Sequence, residues 1–258
     1  MHGTMKLSAF FAAALFWTFA GTLFAANSIP AGTILPVRLN STVSSVRSTS
    51  GQTVTARVMQ DVPLADGSVI HAGAKVIGRV VSVTPASNGS AGRVVLRFDM
   101  LETRQAKTAI QTDLRAIASF TAVEQAQIPI SGPDRGTPPN AWTTQQIGGD
   151  TVYRGGGPVE AVNGKVGEPV YGGVLSQLNA NPDGGCRGAI DAHNTQQALW
   201  VFSSDACGAY GLARVTVRHA GRSNPTGEIV LAASKGDVKI SAGAGMLLRV
   251  DSANVSGA

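Results

Sequence analysis

Apolar and polar positions alternate with a period of two through most of residues 29–120, and that pattern predicts β-strands. In residues 33–39, Leu35, Val37 and Leu39 share one face and Ile34, Pro36 and Arg38 the other. Pro36 suits a strand start or a sheet edge, where a missing N–H does least harm. Residues 53–62 alternate through Val54, Ala56 and Val58, and the Asp66-Gly67 pair that follows is a hairpin signal. Residues 69–83 form the longest apolar strand system, bent at Ala72-Gly73 and interrupted by Gly78, where a glycine predicts a bulge or a close backbone approach. Residues 93–101 set Val94, Leu96, Phe98 and Met100 against Arg93, Val95, Arg97 and Asp99. Residues 108–120 set Ile110, Thr112, Leu114, Ala116, Ala118 and Phe120 against Gln111, Asp113 and Arg115. These two segments are expected to pair as a hairpin over residues 102–107, with one dry face and one wet face. Residues 121–127 fit one or two helical turns.

Within this pattern one phrase occurs three times: IPAGTILPVRL at 29–39, IHAGAKVIGRV at 70–80 and ISAGAGMLLRV at 240–250. The Ala-Gly pair suits a tight turn, because glycine enters the left-handed region without steric cost, and a strand follows it. Unequal spacing of the copies excludes a regular solenoid. Aligning them makes Leu35, Val76 and Met246 equivalent, then Val37, Gly78 and Leu248, then Leu39, Val80 and Val250, all directed inward. Arg38, Arg79 and Arg249 fall on the opposite face. Leu248→Asp is therefore expected to unfold the domain and Arg249→Ala to be nearly silent. With copies near both ends of the sequence, the first and last are expected to lie side by side in one sheet or barrel.

Residues 129–173 are crowded with Gly and Pro, but Trp142, Tyr153 and Tyr171 interrupt the polarity and point to an ordered excursion. No Walker pattern accompanies the glycines, and no calcium loop or metal-ligand spacing occurs, so no cofactor or metal is expected. Cys186 and Cys207 are the only cysteines, and in an exported chain they read as a disulfide worth about 3 kcal/mol in the chain-entropy model. Asp191, His193 and Ser203 or Ser204 can be arranged on paper as a hydrolase triad, yet no G-x-S-x-G elbow surrounds either serine. Asp183, Asp191, Asp205 and Glu228 are available carboxylates whose separation the sequence does not give.

Lys6, an apolar run over residues 7–24 and the small residues Ala25-Ala26 have the form of a secretory signal, residues 1–25. An uncleaved anchor is the alternative, since a run of about 18 residues is near the lower limit for spanning hydrocarbon. Either way the remainder lies in the periplasm or outside the cell. No later run reads as a transmembrane helix. The net charge is +5 but only 14% of residues are charged and no basic cluster stands out, which argues against a nucleic-acid groove. Three N-x-S/T triplets, at Asn40, Asn88 and Asn254, are acceptors only in a host that glycosylates them.

The segment from IPAGTILPVRL through Ser44-Ser45, Gly51, Asp61-Val62 and DGSVIHAGAKVIGRV, with KISAGAGMLLRV at the end, resembles the TrbI-like β-barrel domain of conjugation and type IV secretion scaffold proteins. The resemblance implies an envelope assembly subunit with no catalytic residues to carry over, and residues 129–220 have no counterpart in it. The chain thus reads as an all-β protein, an antiparallel barrel or sandwich with a long Gly/Pro-rich, disulfide-closed insertion. Residues 26–128 and 221–251 form the β core, 129–220 an insertion or second β subdomain, and 252–258 a frayed tail. The first functional reading is a non-enzymatic envelope structural or interaction protein that meets other envelope proteins or copies of itself. A second is a binding module for peptidoglycan, polysaccharide or another ligand, with Trp142, Tyr153, Tyr171 or Trp200 as stacking surfaces. A third is a secreted serine hydrolase.

Overall fold

The computed structural model describes residues 29–128, 142–149, 151–154, 159–161, 164–170, 172–179, 195–218 and 227–252. The signal run, Cys186, Asp183, Asp191 and His193 lie outside them, as do Tyr171 and the tail beyond Ser252. The first strands are β1 (Ile34–Leu39), β2 (Val43–Ser44), β3 (Thr53–Val58), β4 (Val62–Pro63), β5 (Val69–Ile70), β6 (Lys75–Thr84), β7 (Arg93–Glu102), β8 (Lys107–Ala109) and β9 (Gln111–Ala118), followed by helix α1 (Phe120–Gln127). Then come β10 (Trp142–Gln145), β11 (Thr151–Arg154), β12 (Val159–Ala161), β13 (Gly164–Val170), β14 (Gly173–Ser176) and β15 (Gln197–Ala198). The last are β16 (Gly208–Tyr210), β17 (Val215–Arg218), β18 (Ile229–Ala233), β19 (Lys239–Ile240) and β20 (Gly245–Ser252).

All three copies of the phrase fold alike. The N–H groups of Thr33, Ala74 and Ala244 donate to the carbonyls of Pro30, His71 and Ser241 at 3.2, 3.1 and 3.2 Å. Gly32, Gly73 and Gly243 take the third position of these turns at φ 92°, 96° and 85°, which a side chain would oppose. Each glycine N–H then donates to a strand-end carbonyl next door: Gly32 to Val250 (2.7 Å), Gly73 to Val58 (2.8 Å) and Gly243 to Leu39 (2.8 Å). The same strand-end residues return a bond, Val250 to Thr33 O, Val58 to Ala74 O and Leu39 to Ala244 O. Because β1 and β20 pair antiparallel, with Leu35 opposite Leu248 and Val37 opposite Met246, the first and third copies close each other's strands.

The main sheet runs β16-β9-β20-β1-β3-β6-β7-β18-β17, with β8 on β7. It is mixed, since β16 joins β9 in parallel while the other pairs are antiparallel. It curls but forms no closed barrel. Near the place where closure would occur, Ile110 N–H donates to Asp99 O (3.0 Å) and Thr112 Oγ1 to Phe98 O (3.1 Å), two bonds in place of a ladder. One core fills the curl, and the expected inward set of Leu35, Val37, Leu39, Val76, Val80, Met246, Leu248 and Val250 lies in it. Gly78 faces a bulge at Asp99 on β7, and a Cβ on it would collide with the Arg97 carbonyl. The Asp66-Gly67 turn joins β4 to β5, with Val62 opposite Ile70.

Two expectations need correction. The hairpin over 102–107 is short, because β18 occupies β7 from Arg93 to Leu96 and leaves only Met100–Glu102 for β8; β9 then departs to pair with β20. Nor is the outer face of β9 wet, since Asp113 and Arg115 are buried. A second layer covers it: Ile34, Ala116, Ala118 and Leu247 pack outward against Val123 and Ala126 of α1 and against Leu199, Trp200 and Phe202. Ser119 caps α1 by accepting the Ala122 N–H at 3.1 Å. The sheet β10-β11-β12-β13-β14-β15 stands beside the first, so residues 129–220 supply that sheet as well as β16 and β17 of the main one. No helix among the described residues is long and apolar enough to cross a membrane.

Gly73 and Gly78 separate two costs. A Cβ on Gly73 meets nothing within 4 Å, so Gly73→Ala should cost about 1–2 kcal/mol, the strain of a left-handed alanine. Gly78→Ala forces a carbonyl aside and should cost about 3 kcal/mol. Urea denaturation checks the order; equal losses would show that turn conformation alone governs both sites.

Candidate functional site

The segment laid over the main sheet, residues 195–207, contains little regular strand, so its backbone groups need partners from side chains. Fully buried Gln60 supplies three bonds. Its Oε1 accepts the N–H groups of Val174 (3.1 Å) and Trp200, and its Nε2 donates to Val174 O (2.8 Å). This anchors Trp200, whose φ of 53° is unusual for a bulky residue. Gln197 Oε1 accepts the Ile34 N–H of β1 at 3.1 Å. Arg115 of β9 holds the far end: Nε donates to Ala206 O (3.0 Å) and Nη2 to Asn179 O (2.9 Å) and Ser204 O (3.1 Å). Burial pushes the Arg115 guanidinium below its ordinary pKa.

This seam decides where the sequence candidates stand. Ser203 is 1% exposed, its N–H donates to Ile147 O, and Gly149 lies so close that a Cβ there would strike Ser203 Oγ. Ser204 offers its carbonyl to Arg115, and Asp205 accepts from Asn179 Nδ2. Both serines and Asp205 thus belong to one internally bonded turn, while Asp191 and His193 lie outside the described residues. Trp200 is 4% exposed and packs in the second core. The side chains of Trp142 and Tyr153 lie outside the described set, with Tyr171. Cys207 is buried and its N–H donates to Tyr210 Oη at 2.9 Å; among the described residues there is no free cysteine. Glu228 pairs with Arg97 at 3.3 Å.

A second polar cluster was missed in the alternation pattern. Arg249 is not on a solvent face: its side chain is 13% exposed, with Nη2 at 3.0 Å from Asp251 Oδ1 and 3.5 Å from Asp113 Oδ2. The register shift between Val250 and Ser252 leaves Asp251 outside the β20–β9 ladder and brings its carboxyl beside Asp113. Burial first, and then the neighbouring Asp251 carboxyl, push Asp113 up to about 7 against the opposing pull of Arg249. Burial also raises Asp251. Oδ2 of each carboxyl receives no hydrogen bond, which one retained proton would relieve.

Outside, the sheet presents a row of cations. Arg38 on β1 stands opposite Arg57 on β3, and Arg57 opposite Lys75 on β6. Arg57 and Lys75 are exposed. Neither protein-family models nor curated proteins match the chain. The phrase and its inward positions were legible as a pattern, whereas Gln60, Arg115 and the Asp113–Arg249–Asp251 cluster carried no local signal.

The earlier expectation for Arg249 reverses. Arg249→Ala strands two buried carboxyls and should cost about 3–5 kcal/mol in urea denaturation; a change under 1 kcal/mol would mean the cluster is solvated.

The acid pair also sets a pH dependence. Because the folded pKa of Asp113 lies above the ordinary value of 3.8, the folded state holds the proton more tightly. The resulting stability is complete below the ordinary value and is lost as pH rises toward about 7. Asp113→Asn should flatten the decline in melting temperature between pH 5 and 8; an unchanged slope would assign the decline to other groups.

Proposed function

We propose that the chain is a non-enzymatic structural or interaction protein of the cell envelope, exported by its N-terminal run and working within an assembly of the secretion, conjugation or pilus kind. The observation that carries this reading is the use to which the polar groups of the seam are put. Gln60, Gln197, Arg115 and the backbone of the 203–205 turn bond inward to fasten one layer on another, and the Ser203 hydroxyl, buried without a hydrogen-bond partner, lies beneath Gly149. A nucleophile has to reach its substrate.

The resemblance to TrbI-like domains supports the assembly role, since its opening and closing segments are the copies that pair as β1 and β20. A Cys186–Cys207 bridge fits the same reading. Cys207 follows the turn that Arg115 holds, so the bridge would extend that fastening into residues 180–194.

Fractionation of cells expressing the tagged full chain should place it in the envelope, migrating in a complex larger than the monomer. A freely soluble cytoplasmic monomer would overturn the proposal, and labelling of Ser203 by a fluorophosphonate would replace it with the hydrolase reading. Mass spectrometry of the non-reduced protein should find the Cys186 and Cys207 peptides joined; two free thiols would remove the bridge.

A further inference from the structure

Directly opposite residues on neighbouring strands have Cβ atoms about 4.5–5.5 Å apart, and like charges placed there repel. The outer face breaks that rule at three pairs, in two groups that differ. Arg79 stands opposite Arg97, but Asp99 pairs with the first and Glu228 with the second. In the row Arg38–Arg57–Lys75 only Arg38 has an acidic partner among the described residues. Arg38 meets Glu124 at 3.2 Å, and Glu102 lies opposite Lys75 but pairs with Lys107 at 3.7 Å. Arg57 and Lys75 have no acidic partner within 4 Å among the described residues.

An aromatic ring ends the row. Arg38 lies over Phe120, 6.0 Å from the ring centroid, and Phe120 is 43% exposed. The third repeated turn packs beside both groups, where a Cβ on Gly243 would come 2.5 Å from Phe120 Cδ2 and 3.4 Å from Arg38 Nη2. An exposed ring beside a line of cations is the pairing that a charged sugar chain uses, with ring faces against the aromatic and acid groups on the cations.

We propose that Phe120, Arg38, Arg57 and Lys75 form a binding strip for an anionic polysaccharide. The acid groups meet Arg57 and Lys75, and a sugar ring rests on Phe120. The strip is one row wide, which fits a linear chain crossing the strands. A bilayer surface would require a broad positive face, whereas Asp99, Glu102, Glu124 and Glu228 share this one. The same acids oppose the continuous phosphates of a nucleic acid. The inference deepens the interaction reading above and rests on it for where the partner is met.

Retention of the purified full chain on immobilised polygalacturonate, with neutral dextran as control, tests it. The wild type should be retained on the first and not the second. The double variant Arg57→Gln/Lys75→Gln should bind at least tenfold more weakly, and Phe120→Ala severalfold more weakly, both with unchanged circular dichroism. Arg93→Gln/Arg104→Gln removes the same charge at exposed positions off the strip and should bind like the wild type. Absence of retention, equal loss in both double variants, or tighter binding to single-stranded DNA or anionic phospholipid vesicles would overturn the strip. Such a failure with envelope fractionation intact removes this inference alone; failure of both removes the interaction reading with it.

Discussion

The structure depends on a two-bond exchange between a glycine turn and the end of the neighbouring strand. Side chains alternate with a period of two, so a slip of one residue would turn every core position outward. Gly32 against Val250, Gly243 against Leu39 and Gly73 against Val58 each fix a strand at its end, and the first two fix the same pair, β1 and β20, from opposite ends. A ladder pinned at both ends cannot slip without breaking both exchanges. That is why Leu35, Val37, Met246 and Leu248 are held inward although no strand ladder closes the sheet.

Curling the sheet leaves its convex side to be dealt with, and two solutions divide it. Over β1, β20 and β9 the outward residues Ile34, Leu247, Ala116 and Ala118 are apolar and small enough for a second layer to sit down on them. Covering them buries irregular backbone, and Gln60, Gln197 and Arg115 return the hydrogen bonds that this backbone would lose with water, each worth about 1 kcal/mol net but costly if left unmade. Over β3, β6 and β7 the outward positions include Arg57, Lys75, Arg79 and Arg93, all exposed among the described residues. The boundary falls where Arg38 and Phe120 meet at the start of α1.

The division explains which parts were legible in the sequence. Alternation marks the inner faces of β1, β3 and β20, and glycine chemistry marks the turns and the close approach at Gly78, because those signals are local. At the register shifts of β9 and β7 the faces exchange: Ala116 and Ala118, expected beside Leu114, lie outward, and Leu101 takes the core place expected of Met100. Whether the other face is wet depends on residues far away. Arg115 reads as solvent-facing from its own strand and is buried where it bonds the carbonyls of Ser204 and Ala206, whereas Asp113 and Arg249 are drawn together with Asp251 at the β20 register shift. The truncated 102–107 hairpin likewise turns on distant segments: β18 holds β7 from Arg93 to Leu96, and β9 pairs with β20. The basic row was equally hidden, since Arg38, Arg57 and Lys75 sit in separate segments and become neighbours only through register.

The row and the acid pair are both crowds of like charge, and solvent exposure decides how each is tolerated. Two unit charges 4 Å apart interact by about 1 kcal/mol in water and about 4 kcal/mol at an effective dielectric near 20. Arg57 and Lys75 are exposed, so water screens their mutual repulsion and an attraction for anions is left unspent. Asp113 and Asp251, packed against the β9–β20 register shift, cannot both ionise on the strength of one Arg249, so the pair retains a proton. A cation row at the buried location would have lost its charge or its fold; on the open face the sheet carries it at a cost that a bound polyanion would reverse.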